Sequence, residues 1–187
     1  MIQPLALGGI TYGVSDLELT AAYAAIADGG QYRKPVFYTK VTDSKGNVLI
    51  DNTENKATQV FKASTASLLT NVMEDVLEKG TGVAARLDNM HAAGKTGTTN
   101  EAKDLVFAGF TPYYTAAIWA TYDTHAEFPE SDREFHKRLW AKVMNEIHEG
   151  LADMDFETSA TVQEATICTK TGLLARSSCP SITEYFA

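Results

Sequence analysis

Cysteine is scarce: Cys168 and Cys179, both near the C-terminus, are the only two in 187 residues. Two cysteines cannot build a multi-bridge disulfide framework, and no Cys/His spacing makes a zinc site. The pair is compatible with one local disulfide or with two free thiols. Positive charge is also short. Sixteen Lys and Arg stand against 24 Asp and Glu, a formal net charge of −8. Phosphate binding needs clustered basic residues, so the balance argues against a nucleic-acid partner. The acidity by itself reads as a solvated surface. No apolar run approaches bilayer-spanning length, and Met1-Ile2-Gln3-Pro4 lacks the basic start of a signal peptide. Any targeting signal is therefore expected in sequence outside these residues. None of His91, His125, His136 and His148 sits in a His-Glu-x-x-His pattern, so surface or hydrogen-bonded histidines are expected, with no metal and no cofactor.

What is present suits a folded chain: 44% hydrophobic and 21% charged residues. Ser15 with Glu18 three residues on forms a capping box before an alanine-rich helix over 17–27, stopped at Gly29-Gly30. Val36–Val41 and Val48–Ile50 flank the turn residues 43–47 and predict a hairpin. A second helix is expected over about 64–79, with Leu68, Leu69, Val72, Met73, Val76 and Leu77 on one face. Three antiparallel strands follow, at 92–98, 105–110 and 114–122, joined by short turns. A third helix over about 131–149 carries Phe135, Leu139, Trp140, Val143, Met144 and Ile147 as its apolar stripe. Trp119 is expected in the core, Tyr113 near the surface, and Glu146, His148 and Glu149 on the polar side of that helix. The order of elements makes the class α+β. The chain divides at 1–152 and a less regular tail, 153–187.

The residues with chemistry are Ala93-Gly94-Lys95-Thr96-Gly97-Thr98-Thr99-Asn100. Lys-Thr-Gly is one element of serine acyl-transfer sites. On a strand, Thr96 and Thr98 share a face, where two hydroxyls can bond a substrate carboxylate. Lys95 supplies positive charge, Gly97 lets a substrate approach the backbone, and the Thr98 amide can donate to an oxyanion. The tripeptide alone is a weak signal, because Lys170-Thr171-Gly172 repeats it before Leu173-Leu174, where a turn is expected. Gly80-Thr81-Gly82 follows a helix rather than a strand, which argues against a nucleotide loop.

Taken in order, these segments resemble the C-terminal part of the transpeptidase domain of class A (bifunctional) penicillin-binding proteins. The resemblance runs through Leu5–Gly9 with Tyr12–Ser15, Ala21–Ala25 with Asp28-Gly29-Gly30, Gly80–Ala84, Ala93–Thr99, Asp104–Pro112, and the tail residues Cys168–Ala175 and Cys179-Pro180. It departs where Leu105-Val106-Phe107 lacks the family's Trp, and where the charged stretch 123–138 replaces a small, glycine-rich run. No serine here has Lys three residues on, and neither Ser-x-Asn nor Tyr-x-Asn occurs.

The resemblance implies a partial penicillin-binding-protein/serine β-lactamase-like fold and a peptidoglycan D,D-transpeptidase. Its substrates are stem peptides ending in D-Ala-D-Ala, and β-lactams are its inhibitors. Lys95, Thr96, Gly97 and Thr98 take the catalytic positions, and Thr96, Thr98 and Thr99 the substrate-binding ones. The nucleophile, a glycosyltransferase domain and a membrane anchor would lie upstream, and the protein outside the cytoplasmic membrane. The chain alone would be inactive, and its edge strand 114–122 would drive self-association. The alternatives are a fragment of a carboxypeptidase or β-lactamase relative, a non-catalytic cell-envelope binding module, or an unrelated α+β protein.

Overall fold

A computed structural model describes residues 8–187; the Leu5-Ala6-Leu7 part of the first resembling segment lies outside them. Helix α1, Asp16–Ala27, opens as its sequence dictates. The Ser15 hydroxyl accepts from the Glu18 amide (3.2 Å), and the Glu18 carboxylate accepts from the Ser15 amide (2.8 Å). At its end Gly29 and Gly30 take φ of +59° and +89°, values that favour glycine. Helix α2, Ala63–Glu78, matches its expected span within a residue.

The predicted hairpin forms, but its first strand starts late. β2 is Lys40–Thr42 and β3 is Val48–Asp51. Beyond Thr39, whose carbonyl accepts from the Asn52 amide (2.7 Å), the Tyr38 carbonyl accepts from the Asn52 side chain (3.1 Å), and the backbone ladder goes no further. A two-residue ladder of β1, Gln31–Tyr32, with β4, Thr58–Gln59, closes this region. Sequence pattern gave no sign of that ladder.

The central sheet is antiparallel in the order β5 (Ala93–Thr98), β6 (Asp104–Phe110), β7 (Thr115–Thr121). Side chains alternate between its faces. Ala93 and Phe110 pack with Ile26, Tyr23, Leu69 and Met73 on one face. Phe107 packs with Trp140 and Met144 of α3 (Phe135–Ile147) on the other, the two rings edge to face at 4.9 Å. Helix α2 runs along β5 and feeds both clusters, with Leu69 and Met73 in one and Val76 and Leu77 in the other. Gly94 and Gly109 face each other in register. A Cβ on Gly94 would stand 2.7 Å from Phe107 Cζ, and one on Gly109 2.8 Å from Trp140 Cζ2. Both glycines are needed so that the aromatic pair can sit on the sheet.

Helix α3 corrects the sequence reading. It begins at Phe135, after a 3₁₀ turn at Glu130–Asp132. Its buried face is His136, Lys137, Trp140, Ala141 and Met144, continuing to His148. Phe135, Leu139, Val143 and Ile147 form a second apolar row, at i+4 spacing, that stays exposed. Two apolar rows on one helix made the single stripe ambiguous. His148 is therefore buried rather than on the polar side: Thr111 Oγ1 lies 2.8 Å from its Nε2 and the Met144 carbonyl 2.6 Å from its Nδ1. His136 is neither exposed nor hydrogen-bonded. Both ring nitrogens lack a partner among the described residues, and burial pushes its pKa down.

The tail is a second antiparallel hairpin, β8 (Gln163–Cys168) with β9 (Ser181–Phe186). The Cys168–Cys179 disulfide closes the loop between them, resolving the two alternatives. No described helix is long and apolar enough to cross a membrane.

Candidate active site

Antiparallel register places the Lys-Thr-Gly segment on a defined edge. Thr96 pairs with Phe107 and Thr98 with Leu105, so both threonines share the α3 side of the sheet. Lys95 and Gly97 belong to the other side. β5 has one strand neighbour, β6, among the described residues, so its outer edge carries no ladder. Lys95 is exposed, and its ammonium folds back around this edge. Nζ donates to the Thr96 carbonyl (3.0 Å) and to Thr96 Oγ1 (3.2 Å).

A second loop meets the first here. Gly80-Thr81-Gly82 leaves the end of α2, and Thr81 Oγ1 lies 2.9 Å from Thr96 Oγ1. The loop is held from two directions. The Gly82 amide donates to the Val76 carbonyl (2.8 Å), and Lys137 Nζ donates to the Thr81 carbonyl (3.0 Å). Lys137 is 7% exposed, and its charge is satisfied by Glu134 at 2.6 Å. Neither Thr81 nor Lys137 was singled out as a site residue from the sequence. The family-like glycine-threonine-glycine loop signalled Thr81; nothing signalled a lysine from the charged stretch reaching so far.

The far end of β5 is fixed by Asp104. The Thr99 hydroxyl donates to the Asp104 carboxylate (3.0 Å) and accepts from the Asp104 amide (2.8 Å). The Thr99 amide donates to the Asp104 carbonyl (3.1 Å). Thr99 is therefore committed to the turn, on the opposite side of the sheet from Thr96 and Thr98. Trp119 Nε1 donates to the same carboxylate (3.0 Å), and His125 Nε2 lies 3.2 Å from it. Burial alone would raise the Asp104 pKa, but bonds from Trp119, His125 and Thr99 bring it below the usual value. Trp119 is 57% exposed and not in the core, because its indole N–H is spent on Asp104 at an edge strand. Tyr113 is half-buried, its hydroxyl donating to the Ala152 carbonyl (2.9 Å).

The second Lys-Thr-Gly lies in a different element from the first and forms no strand. Lys170 and Thr171 lie in the tight turn after β8, and Gly172 has φ +69°.

A separate titratable cluster lines a cleft of about 520 Å³ formed by Glu74, Leu77, Arg86, His91, Asp153 and their neighbours. His91 Nδ1 lies 3.0 Å from Asp153 and Nε2 3.5 Å from Asp155. The bond to Asp153 raises the His91 pKa against the effect of burial. Burial raises Glu74 to about 7, with His91 pulling it down and Glu78, Asp155 and Asp75 pushing it up. No group of His, Cys, Asp and Glu suited to a metal ion occurs among the described residues.

The family described as "Penicillin binding protein transpeptidase domain" matches residues 3–149. The chain belongs to this family. A second family, "Penicillin-binding protein 1A, C-terminal domain", matches residues 159–187 of the chain. Penicillin-binding protein 1A of Clostridium perfringens is 34% identical over 172 residues, covering 92% of this chain and 20% of that protein. Penicillin-binding protein 4 of Bacillus subtilis is 41% identical over 123 residues, covering 66% and 20%. The chain thus spans about a fifth of the length of the curated relatives it matches.

Among solved structures, penicillin-binding protein 1A of Haemophilus influenzae superposes with TM-score 0.78 at 20% identity, over 99% of this chain and 33% of that one. That likeness shows the fold. PonA1 of Mycobacterium tuberculosis, solved with penicillin V, gives TM-score 0.66 at 26% identity over 74% and 39%. The α+β, partial penicillin-binding fold and the class A resemblance are thereby confirmed.

Proposed function

We propose that this chain forms one wall of a serine D,D-transpeptidase site, completed by a nucleophile from upstream sequence of the same protein. One observation carries the reading: Lys95, Thr96 and Thr81 converge on an unladdered strand edge. In the proposed reaction the upstream serine Oγ attacks the carbonyl carbon of a D-Ala-D-Ala bond. The C–N bond then breaks, D-alanine leaves with a proton on its nitrogen, and an acyl-enzyme remains. An amine from a neighbouring stem peptide, or water, takes the acyl group. β-Lactams stop at the acyl-enzyme.

Each residue has a role within this reading. Lys95 tunes the site electrostatically and assists proton transfer. Thr96 and Thr98 hold the terminal carboxylate, and Gly97 keeps the strand surface clear. The Thr96 carbonyl is turned toward Lys95 Nζ. In an antiparallel strand, residues two apart direct their amides to the same edge, which supports the Thr98 N–H as an oxyanion donor. Thr99, also assigned to substrate binding by resemblance, contributes by pinning the strand end to Asp104. Residues 1–152 carry the transpeptidase part and 153–187 a tail segment. The whole protein works on peptidoglycan outside the cytoplasmic membrane, anchored by upstream sequence that also holds a glycosyltransferase domain.

Fluorescent penicillin tests this reading. Incubated with the 187-residue chain it leaves no covalent label, because no Ser-x-x-Lys is present. The full-length protein takes one label per chain. A stoichiometric adduct on the chain alone, or none on the full-length protein, overturns the assignment. The isolated chain should also self-associate through β7, whose strand neighbour among the described residues is β6 alone. A monomer in light scattering refutes that part.

A further inference from the structure

The glycine-threonine-glycine loop reaches the proposed carboxylate-binding hydroxyl through Thr81, and the buried Lys137 reaches that loop through the Thr81 carbonyl. Thr96 Oγ1 has one hydrogen and two acceptor positions. Lys95 Nζ occupies one acceptor position at 3.2 Å. Thr81 Oγ1, at 2.9 Å, has a hydrogen to donate to the other. Once both acceptor positions are filled, the single Thr96 hydrogen is left for a ligand. We propose that Thr81 is a positioning residue that sets the Thr96 hydroxyl rotor toward the substrate carboxylate, and that Lys137 holds Thr81 in place for it.

The loop is built for such a task. Gly80 and Gly82 press against the last turn of α2; a Cβ on Gly80 would stand 2.8 Å from Val76 Cα. Two small residues therefore let Thr81 sit close to the helix end with its side chain outward. From the opposite side, Lys137 carries a charge into a buried position, satisfied by Glu134 (2.6 Å) and the Thr81 carbonyl (3.0 Å). A buried lysine with two good partners resists displacement, since losing Glu134 leaves its charge unpaired and losing the Thr81 carbonyl leaves one of its N–H donors unsatisfied. The loop is thus fixed by backbone bonds on α2 and by a side chain from α3. This inference rests on the transpeptidase reading, because it needs a carboxylate-bearing ligand at Thr96.

The test uses the full-length protein that contains this chain, with benzylpenicillin and its methyl ester as paired probes. The ratio of their acylation rates reports recognition of the carboxylate. Thr81→Val should lower acylation by benzylpenicillin about tenfold, the size of one neutral hydrogen bond, and leave the ester rate unchanged. Thr81→Ser should restore the ratio. Lys137→Met should move the ratio in the same direction, with a melting temperature measured alongside to show that it folds. A wild-type ratio in Thr81→Val, or equal losses with both probes, overturns this inference alone. A wild-type ratio in folded Lys137→Met overturns the part assigned to Lys137. No acylation of the wild-type full-length protein overturns the transpeptidase reading, and this inference with it.

Discussion

The chain carries the same tripeptide twice, and the two copies differ in everything except their letters. Lys95-Thr96-Gly97 lies within a six-residue strand, over an aromatic cluster, with a second loop and a buried lysine braced against it. Lys170-Thr171-Gly172 lies in a turn. The Gly172 amide donates to the Cys168 carbonyl (2.8 Å), and Leu173 and Leu174 after it are more than 70% exposed. A reactive surface is made by what stands behind and beside a motif. The first copy is supported by packing, the second by a covalent link and local hydrogen bonds.

The largest effect should come from removing that support. Phe107→Ala empties a fully buried site beneath Thr96 and should cost about 4 kcal/mol of stability, read by denaturant unfolding. Leu174→Ala beside the second copy should stay within about 0.5 kcal/mol. Equal losses would break the contrast.

Next come the lysines themselves. In the full-length protein, Lys95→Ala should slow acylation by benzylpenicillin about a hundredfold, within the range for a lost proton-transfer group. Lys170→Ala should leave the rate unchanged. A slowed Lys170→Ala would give the tail copy a role that its geometry does not support.

A more local effect is expected from Cys168→Ser with Cys179→Ser. Opening that short loop should cost the tail hairpin roughly 2–3 kcal/mol on a loop-entropy basis. Limited proteolysis should then cut within 163–186 sooner, while the β5–β7 sheet stays protected. Sheet cleavage at the same rate would show that the two regions unfold as one.

The smallest effect concerns pH. Glu74, raised to about 7 by burial, contributes stability that is full below its unfolded pKa and is lost as pH rises through about 7. His91, also raised, contributes below its unfolded pKa and loses that contribution as pH rises through its folded value. Asp153, lowered chiefly by its bond from His91, works the other way, but its loss falls at more acidic pH. His136, lowered by burial, gains stability as pH rises toward its unfolded value and so opposes these two groups. Between pH 5.5 and 8, Glu74→Gln should therefore make the melting temperature fall less with pH than it does in the parent chain. A steeper slope in that variant would contradict the assignment.

Much of this was legible because local rules and tertiary structure agree. Ser15 and Glu18 cap α1 as written, the three central strands begin and end within a residue of expectation, and the Lys95–Thr98 segment is the strand its alternation suggested. What could not be read depends on distant partners. Trp119 looked like core until Asp104 claimed its N–H. The inner face of α3 was hidden by a second apolar row. Thr81 and Lys137 lie 15 and 42 positions from Thr96 and Lys95, and only folding shows that they share an address. β8 and β9 were missed because their alternation is diluted by polar residues on both sides of a mostly exposed ribbon.

Gly94 and Gly109 carry an evolutionary consequence. The glycine just before Lys95 answers to Phe107, and its partner across the ladder answers to Trp140. On the proposed transpeptidase reading, selection for folding and selection for catalysis would act on neighbouring letters. A descendant that had given up chemistry altogether would be free to lose Lys95 and Thr98, yet would still be bound to keep the two glycines beside them.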